Sequence, residues 1–360
     1  MGHLARNRWA GWFSLVLVAA STALWSSASS APGALIMPKL IESFPSPGAA
    51  SQLVYSPNYH RLFLRNSGSA IRVVDTLTRN QVDLHLATEQ FSDIDLTPSG
   101  NYLYAADFGG EIIGYDEPAR PHWVHRLDLA TGTWNVKKAP KIGWKVEAVN
   151  DDQFVLQEND QWIDVTLNRW GAPAAAITET ARRVWWAYVG DIEYDPATGR
   201  VIHGNSGSSS SEIAVLRVVG DTFTTGEATG TYGSAQSGGG TSVLSSDREN
   251  FFFGRLQVEA LDVRNNRRSF PEMIYAATGV YAFGASNVYD LKAGTSLGSL
   301  GLSAPVYALS PDGGELWAYS NNTLYHYALP EPGSGVVLTS SLLLLLRRHR
   351  RRGLPAIART

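Results

Sequence analysis

Hydrophobic and polar positions alternate in short stretches along most of the chain. The clearest case is residues 306–329, VYALSPDGGELWAYSNNTLYHYAL, which is apolar or aromatic at every second position within its segments. Turn residues separate three such segments, at residues 306–309, 315–319 and 324–329. A period of two broken by tight-turn residues predicts three antiparallel strands. One small sheet cannot bury both of its faces alone, so we expect neighbouring sheets of the same kind.

Six further units with this order of strands and turns precede residue 306. Their first strands end at similar turn pairs, and the spacing from Ser56 to Ser310 averages about 42 residues per unit, as in four-stranded propeller blades. The seven turn pairs are Ser56-Pro57, Thr97-Pro98, Asp151-Asp152, Asp195-Pro196, Ser246-Asp247, Thr278-Gly279 and Ser310-Pro311. We therefore predict an all-β, seven-bladed β-propeller. Three irregular units leave six or eight blades as alternatives.

The last unit has only three strands before Pro330. A lone strand at residues 40–44 would supply its fourth strand and close the ring by pairing the N-terminal strand with the last blade. A closed ring leaves fewer open sheet edges in need of protection.

An aspartate recurs after the third strand of five units, at Asp75, Asp128, Asp164, Asp262 and Asp290. A carboxylate there accepts the backbone N–H groups of the reversal that follows. Turn chemistry explains every copy, so we interpret these residues as structural and not as a ring of acidic ligands.

The N-terminus has the three parts of a secretory signal peptide. Residues 1–8 are basic, residues 9–25 are apolar, and residues 26–31 are small. We predict cleavage near Ala31. The alternative is a permanent membrane anchor.

The C-terminus repeats a three-part plan in another order. Pro330, Glu331 and Pro332 precede a short apolar run, which is followed by a basic cluster of Arg347, Arg348, Arg350, Arg351 and Arg352. As a helix the apolar run would extend about 21 Å, less than the ~30 Å hydrocarbon core of a bilayer. The basic cluster would keep that end on the cytoplasmic side.

This arrangement resembles the PEP-CTERM sorting signal. The resemblance implies recognition by an exosortase-type processing enzyme, transient membrane insertion through a short hydrophobic helix, and the company of exopolysaccharide-producing systems. The run is Ser-rich at its start, and residues 353–360 extend past the arginines, unlike most family members. An ordinary tail anchor or a disordered basic tail are the alternatives. The predicted organisation is a signal peptide (1–31), a propeller (32–329), a sorting signal (330–352) and a tail (353–360).

The alternation in residues 56–82, 97–110 and 310–329 resembles the YVTN-type propeller repeats of secreted bacterial proteins. Related patterns occur in other propeller families, so the resemblance implies a fold and leaves the ligand open.

The charge balance and the absence of cysteine exclude some classes of partner and chemistry. Eight arginines lie in the two terminal segments, and without them 22 basic residues face 33 acidic ones, a balance of −11. An acidic body repels phosphate backbones, so we predict no nucleic-acid partner. The absence of cysteine excludes disulfides and thiol chemistry.

Candidate chemistry is sparse, and we predict no catalytic residue, cofactor or metal ion. His122 and His125 have a spacing that could begin a metal site. Residues three apart in an extended strand face opposite sides, however, and no third ligand is evident in the sequence. We therefore interpret both residues as part of an exposed insertion loop. The other histidines singled out are interpreted as surface or core-edge side chains: His60, His85, His203 and His326.

Aromatic side chains offer one binding hypothesis. Trp185 and Trp186 are adjacent and must point opposite ways in a strand, so one of them is a candidate for stacking on a sugar. Trp134 and Trp170 are interpreted as packing between blades. Residues 204–211 and 226–240 are Gly/Ser-rich and are interpreted as flexible loops.

These observations favour an exported binding or interaction module of the cell surface or extracellular matrix, with a protein or polysaccharide ligand. The alternatives are a lactonase-like or sugar-directed hydrolase with an axial site, and a purely structural matrix protein. An enzyme predicts carboxylates or histidines from different blades meeting at the axis. A binding module predicts an exposed aromatic or hydrogen-bonding patch without such a cluster.

Overall fold

The computed structural model describes residues 35–108, 122–140, 143–158, 163–185, 190–205, 212–228 and 241–330. In this part of the chain, twenty-eight strands form seven four-stranded antiparallel sheets. The predicted seven-bladed, all-β propeller is confirmed.

Each blade follows the order of the chain from the axis outward. Blade 1 comprises β2 (Gln52–Ser56), β3 (Arg61–Arg65), β4 (Ala70–Asp75) and β5 (Asn80–Leu86). Blade 2 comprises β6 (Phe91–Leu96), β7 (Tyr102–Asp107), β8 (Trp123–Asp128) and β9 (Thr133–Lys138). Blade 3 comprises β10 (Lys145–Ala148), β11 (Gln153–Gln157), β12 (Ile163–Arg169) and β13 (Thr178–Trp185).

The remaining blades repeat this order. Blade 4 comprises β14 (Gly190–Asp195), β15 (Arg200–Asn205), β16 (Glu212–Val219) and β17 (Thr222–Ala228). Blade 5 comprises β18 (Ser242–Leu244), β19 (Asn250–Phe253), β20 (Leu256–Glu259) and β21 (Asn266–Ser269). Blade 6 comprises β22 (Ile274–Ala277), β23 (Tyr281–Gly284), β24 (Val288–Asp290) and β25 (Thr295–Gly298). Blade 7 comprises β26 (Val306–Leu309), β27 (Glu315–Ser320), β28 (Thr323–Ala328) and, as its outermost strand, β1 (Lys39–Pro45).

The ring closes as predicted, because β1 pairs with β28. Phe44 of β1 lies opposite Leu324 and packs in one apolar cluster with Trp317 of blade 7 and Leu53 and Tyr55 of blade 1. The first strands of neighbouring blades contact one another around the whole circle. The core therefore consists of apolar layers between adjacent blades, as in the cluster shared by blades 1 and 2.

Four of the five predicted turn aspartates accept backbone N–H groups of the reversal that follows, and three of them accept two such groups. Asp75 accepts the N–H groups of Leu77 and Thr78 at 3.0 and 2.8 Å, and Asp128 and Asp290 accept the equivalent pairs. Asp262 accepts one such N–H, from Arg264. The prediction for Asp164 is wrong, because this residue lies inside β12, paired with Val184.

Two further interpretations need correction. Gly204 belongs to β15 and Gly226 to β17, so the predicted Gly/Ser loops begin later than their composition suggested. Both glycines lie where a side chain of another strand approaches closely: a Cβ on Gly204 would overlap the Phe253 ring, and one on Gly226 would lie 3.0 Å from Val215.

The predicted signal peptide and the residues of the sorting signal after Pro330 lie outside the described residues. Within the described part of the chain, no helix has the length and apolar character required to cross a bilayer.

Candidate functional site

The innermost strands line a central cavity of about 970 Å³. Polar side chains alternate along three of these strands: Asp93 and Asp95 in β6, Lys145 and Glu147 in β10, and Asp191 and Glu193 in β14. Gln52 of β2 extends the polar wall to blade 1. The structure thus brings five carboxylates from three blades to one cavity.

Most of these carboxylates join one blade to the next. Asp93 Oδ2 accepts the Val146 N–H at 3.0 Å, and Asp95 Oδ2 accepts the Ala148 N–H at 2.7 Å. Glu147 accepts the Tyr194 N–H at 3.1 Å, and Asp191 accepts the Ser242 N–H at 2.7 Å. The innermost strand of each sheet has one edge without a strand partner, so its N–H groups need acceptors from elsewhere. The acidic side chains supply them.

At one level of the cavity, carboxylates and cations alternate. Arg65 Nε donates to Gln52 Oε1 at 2.8 Å, and Gln52 Nε2 donates to Asp93 Oδ1 at 2.7 Å. Lys145 Nζ lies 2.9 Å from Asp191 Oδ1. Burial opposes the charge on Lys145, but the Asp191 and Asp93 carboxylates raise its pKa overall. The charges at this level are largely compensated.

One step further along the strands lie Asp95, Glu147 and Glu193, which we call the carboxylate triplet. Burial raises the pKa of Asp95 to about 7, and Asp93 adds to the effect. Burial raises the pKa of Glu147 well above its usual range, and repulsion from Asp95 and Glu193 contributes. The pKa of Glu193 is raised in the same way, by burial and then by Asp191 and Asp95. The triplet therefore holds protons at pH values where ordinary carboxyl groups have lost them.

The opposite wall of the cavity is largely apolar. Val54, Val243, Ala276 and Ala308 line it, together with the aromatic residue Tyr307. The Tyr307 hydroxyl donates to the Gly284 carbonyl at 3.2 Å, which fixes its orientation. The cavity is thus divided into an acceptor-rich half and an apolar half.

Sequence reasoning missed these carboxylates, although a signal was present. The segments DIDLTP, KVEAV and DIEYDP carry charged residues at alternate positions before the turn, where QLVYSP, SVLSS, IYAATG and VYALSP have mostly apolar residues. Inner-strand positions that become charged in three consecutive repeats indicate an axial polar site. This comparison between blades would have found it.

The hypothesis that Trp185 or Trp186 stacks on a sugar stays a prediction. Trp185 lies in β13 and Trp186 is outside the described residues. Trp170 and Trp317 are each 1% exposed and pack inside the protein. Trp134 packs between blades, as predicted, where it stacks on His85 of blade 1 with ring centroids 3.9 Å apart. Pro330 follows β28, and the remaining sorting-signal residues lie beyond the described chain.

The interpretation of His122 and His125 as an exposed loop is wrong. His125 lies in β8 and is 1% exposed, and His122 immediately precedes that strand and is 5% exposed. The physical reason is that β8 begins at Trp123, so both residues join the layers packed between blades. They do face different neighbours: His122 stacks on Phe108, and His125 contacts His85.

The remaining histidines vary in exposure. His60 is exposed and His326 is half-buried, whereas His203 is 2% exposed within β15. Among the described residues, no group of three or more histidine, aspartate or glutamate side chains has the geometry of a metal site.

Comparison with known proteins supports the architecture. The chain is similar to the crystal structure of the β-propeller domain of Cps50 (Swd1) from Myceliophteria thermophila, with a TM-score of 0.57. The match covers 82% of this chain and 100% of that domain, at 13% sequence identity. The likeness is one of fold. No protein-family model matches the chain, and no curated protein matches it by sequence.

Proposed function

We propose that this protein is an exported binding module that takes its ligand into the central cavity. The observation that supports the proposal is the division of the cavity, with the carboxylate triplet on one wall and Val54, Val243, Ala276 and Ala308 on the other. Its volume of about 970 Å³ lies at the upper end of the range for small-molecule sites. Such a site suits a ligand with hydrogen-bond donors on one side and C–H groups on the other.

The terminal sugars of a carbohydrate chain combine hydrogen-bond donors and C–H groups in this way. Its hydroxyl groups donate to carboxylate and amide oxygens, and the faces of its rings pack against apolar and aromatic side chains. Gln52 and Asp93 supply further polar atoms at the next level of the cavity. A polysaccharide partner also agrees with the expectation from the C-terminal segment.

The test is a binding screen of the full-length protein, purified in mild detergent, against soluble oligosaccharides by calorimetry. We expect binding of at least one oligosaccharide class and a loss of affinity of tenfold or more with Glu193→Gln, which keeps the shape of the side chain and replaces a carboxyl oxygen by an amide N–H donor. Leu261→Ala, at an exposed site outside the cavity, is the matched control. Equal affinities of the Glu193→Gln variant and the parent protein would contradict a cavity site.

A hydrolase is the second candidate, and two observations favour it: carboxylates from three blades meet at the axis, as expected of an enzyme, and the pKa values of the triplet are raised. We rank binding first because most of the cavity carboxylates already accept backbone N–H groups of a neighbouring blade. A carboxyl group that stays protonated near neutral pH can act as a general acid, and an ionised neighbour can act as a base or nucleophile. Asp95, with its pKa raised to about 7, is the candidate proton donor. Saturable turnover of an aryl glycoside or lactone, lost in Asp95→Asn, would replace binding by catalysis as the function.

Export is proposed from the sequence of the two ends. Expression in a Gram-negative host with an exosortase system, followed by fractionation and intact-mass analysis, tests it. We expect a non-cytoplasmic protein that begins near residue 32 and has lost its arginine cluster. A cytoplasmic protein retaining residues 1–31 would contradict the proposal.

A further inference from the structure

A chain of three hydrogen-bonded side chains crosses the seam between blades 1 and 2. Asp107 Oδ2 lies 2.9 Å from His125 Nε2, both within blade 2. His125 Nδ1 lies 2.7 Å from His85 Nε2, which belongs to β5, the outermost strand of blade 1. The His85 ring lies flat on Trp134 of blade 2, with an interplanar angle of 3°.

The positions of the protons follow from Asp107. Its carboxylate accepts the N–H groups of Thr88, Glu89 and Gln90 and is 1% exposed. Burial would raise its pKa, but the donors from His125 and from these amides lower it overall, so the group is ionised. His125 Nε2 therefore donates to Asp107, and His125 Nδ1 accepts from His85 Nε2–H.

Acid disturbs this arrangement. A second proton on His125 Nδ1 would face the His85 N–H across 2.7 Å, so the hydrogen bond between the blades would be replaced by a repulsion. A proton on the other nitrogen of His85 would place a cation beside a buried imidazole. Burial and then His125 lower the pKa of His85 to about 4.

Blade 7 contains a second histidine–tryptophan stack, similar to that of His85 on Trp134 but with different neighbours. His326 stacks on Trp317 with ring centroids 4.2 Å apart and an interplanar angle of 4°. Its nitrogens face carboxylates, at 3.8 Å from Glu42 and 3.6 Å from Glu315. His326 therefore has two carboxylates beside its ring, whereas the nearest partner of His85 is another imidazole.

In the part of the chain that the structure describes, few other charged groups lie at the seam. Asp83 of β5 accepts the Trp134 Nε1–H at 2.9 Å, and its charge favours protonation of His85, as does that of Asp107. Glu89 of the connecting loop and Lys138 of β9 lie near His122, where their effects oppose each other. Phe91 of β6 contributes an apolar ring against both His85 and His125.

We propose that the seam between blades 1 and 2 is an acid-sensitive joint of the propeller, held closed by the neutral His85–His125 pair anchored on Asp107. On acidification, this seam opens more readily than the strands around the His326–Trp317 stack of blade 7. The joint is independent of any ligand in the central cavity, and its test needs none.

The size of the pH effect on seam opening follows from the difference in the pKa of His85 between the closed and the opened protein. His85 has a folded pKa of about 4 against an ordinary 6.5, so opened molecules bind a proton that closed molecules reject between these values. At pH 5 the opening equilibrium should be favoured by up to about 30-fold relative to pH 8 from this group alone. At pH 8 the preference vanishes, because both forms are unprotonated.

Hydrogen exchange of the full-length protein, measured by mass spectrometry at pH 8 and pH 5 and corrected for intrinsic rates, tests the proposal. We expect the β5 and β8 segments to lose at least tenfold protection at pH 5, while β27 and β28 do not. His85→Gln keeps an N–H donor without titrating and should abolish the loss. His326→Phe, which keeps the ring stack of blade 7, should leave it unchanged.

A uniform loss of hydrogen-exchange protection across all blades at pH 5 would overturn the proposal. So would a loss in the His85→Gln variant equal to that in the parent protein. His85→Phe serves as a second variant if His85→Gln does not fold, since it preserves the stack on Trp134. It too must lack the pH 5 response if His85 is the group responsible.

Discussion

Lys145 Nζ lies 2.9 Å from Asp191 Oδ1, and this ion pair links the innermost strands of blades 3 and 4. The two side chains are 21% and 10% exposed, so the pair is largely shielded from water. Asp93 of blade 2 also acts on Lys145. One ammonium group thus offsets carboxylates from two neighbouring blades.

Replacing this lysine should destabilise the propeller strongly. Lys145→Met keeps much of the side-chain volume but leaves Asp191 and Asp93 without their cation, which costs about 3 kcal/mol for a largely buried pair. Urea unfolding at pH 7.5 measures the change in the free energy of unfolding. Lys138→Met, at an exposed position of β9, should change it by less than about 0.5 kcal/mol. Similar values for the two variants would show that Lys145 is not needed to offset these charges.

Removing one acid of the carboxylate triplet should increase the free energy of unfolding, in contrast to the replacement of Lys145. Because the folded pKa of Glu193 is raised, the folded protein binds more protons than the unfolded chain, and stability falls as pH rises toward that pKa. Glu193→Gln removes this penalty, so we expect the variant to have a larger free energy of unfolding than the parent protein at pH 8.

The gain from Glu193→Gln should disappear near pH 4, where both folded and unfolded parent chains hold the proton. Urea unfolding of parent and variant at a series of pH values provides the comparison. Glu249→Gln, at an exposed turn, should show no such dependence. A variant that loses stability at pH 8 would mean that ionised Glu193 is favourably paired.

The architecture was accessible from the sequence because it depends on local rules repeated seven times. The alternation in β26, β27 and β28 and the turn after Ser310 are set by neighbouring residues, and the same pattern recurs. The closing role of β1 followed from counting strands in the last unit. These inferences needed no knowledge of which distant residues meet.

The cavity and the histidine chain were not predicted because both depend on contacts across blades. Asp93 and Lys145 are separated by a whole blade in sequence, and so are His85 and His125. The residues around His125 in the sequence give no local indication that its side chain is buried. Its burial arises from Phe91 and His85 of other strands, which sequence spacing does not place beside it.

Closure of the ring offers a third measurement. Trp317 is 1% exposed and contacts Phe44 of β1, Tyr55 of blade 1 and His326. Trp317→Ala should reduce the free energy of unfolding by about 4 kcal/mol, as expected for truncation of a buried tryptophan. Thermal unfolding followed by near-UV circular dichroism would detect the loss. Val219→Ala, at a 58% exposed site, is the control. A small effect of Trp317→Ala would mean that β1 does not depend on this cluster.

The close contact of Gly204 with Phe253 joins blades 4 and 5 and gives the most specific prediction. A Cβ at Gly204 would overlap the Phe253 ring, and Phe253 is fully buried. Gly204→Ala should therefore cost about 2 kcal/mol through overpacking. The cost has a steric origin, so a smaller neighbour should relieve it.

The double variant Gly204→Ala/Phe253→Leu tests that origin. In a double-mutant cycle measured by urea unfolding, we expect the pair to be more stable than the sum of the single effects by at least about 1 kcal/mol. Gly132→Ala is the contrasting case, since Gly132 has a φ of +69° and a methyl group there would meet no atom within 4 Å. Its cost of about 1 kcal/mol comes from the backbone, and Phe253→Leu should not change it. Additive effects in the first cycle would show that the cost of Gly204→Ala does not come from contact with the Phe253 ring.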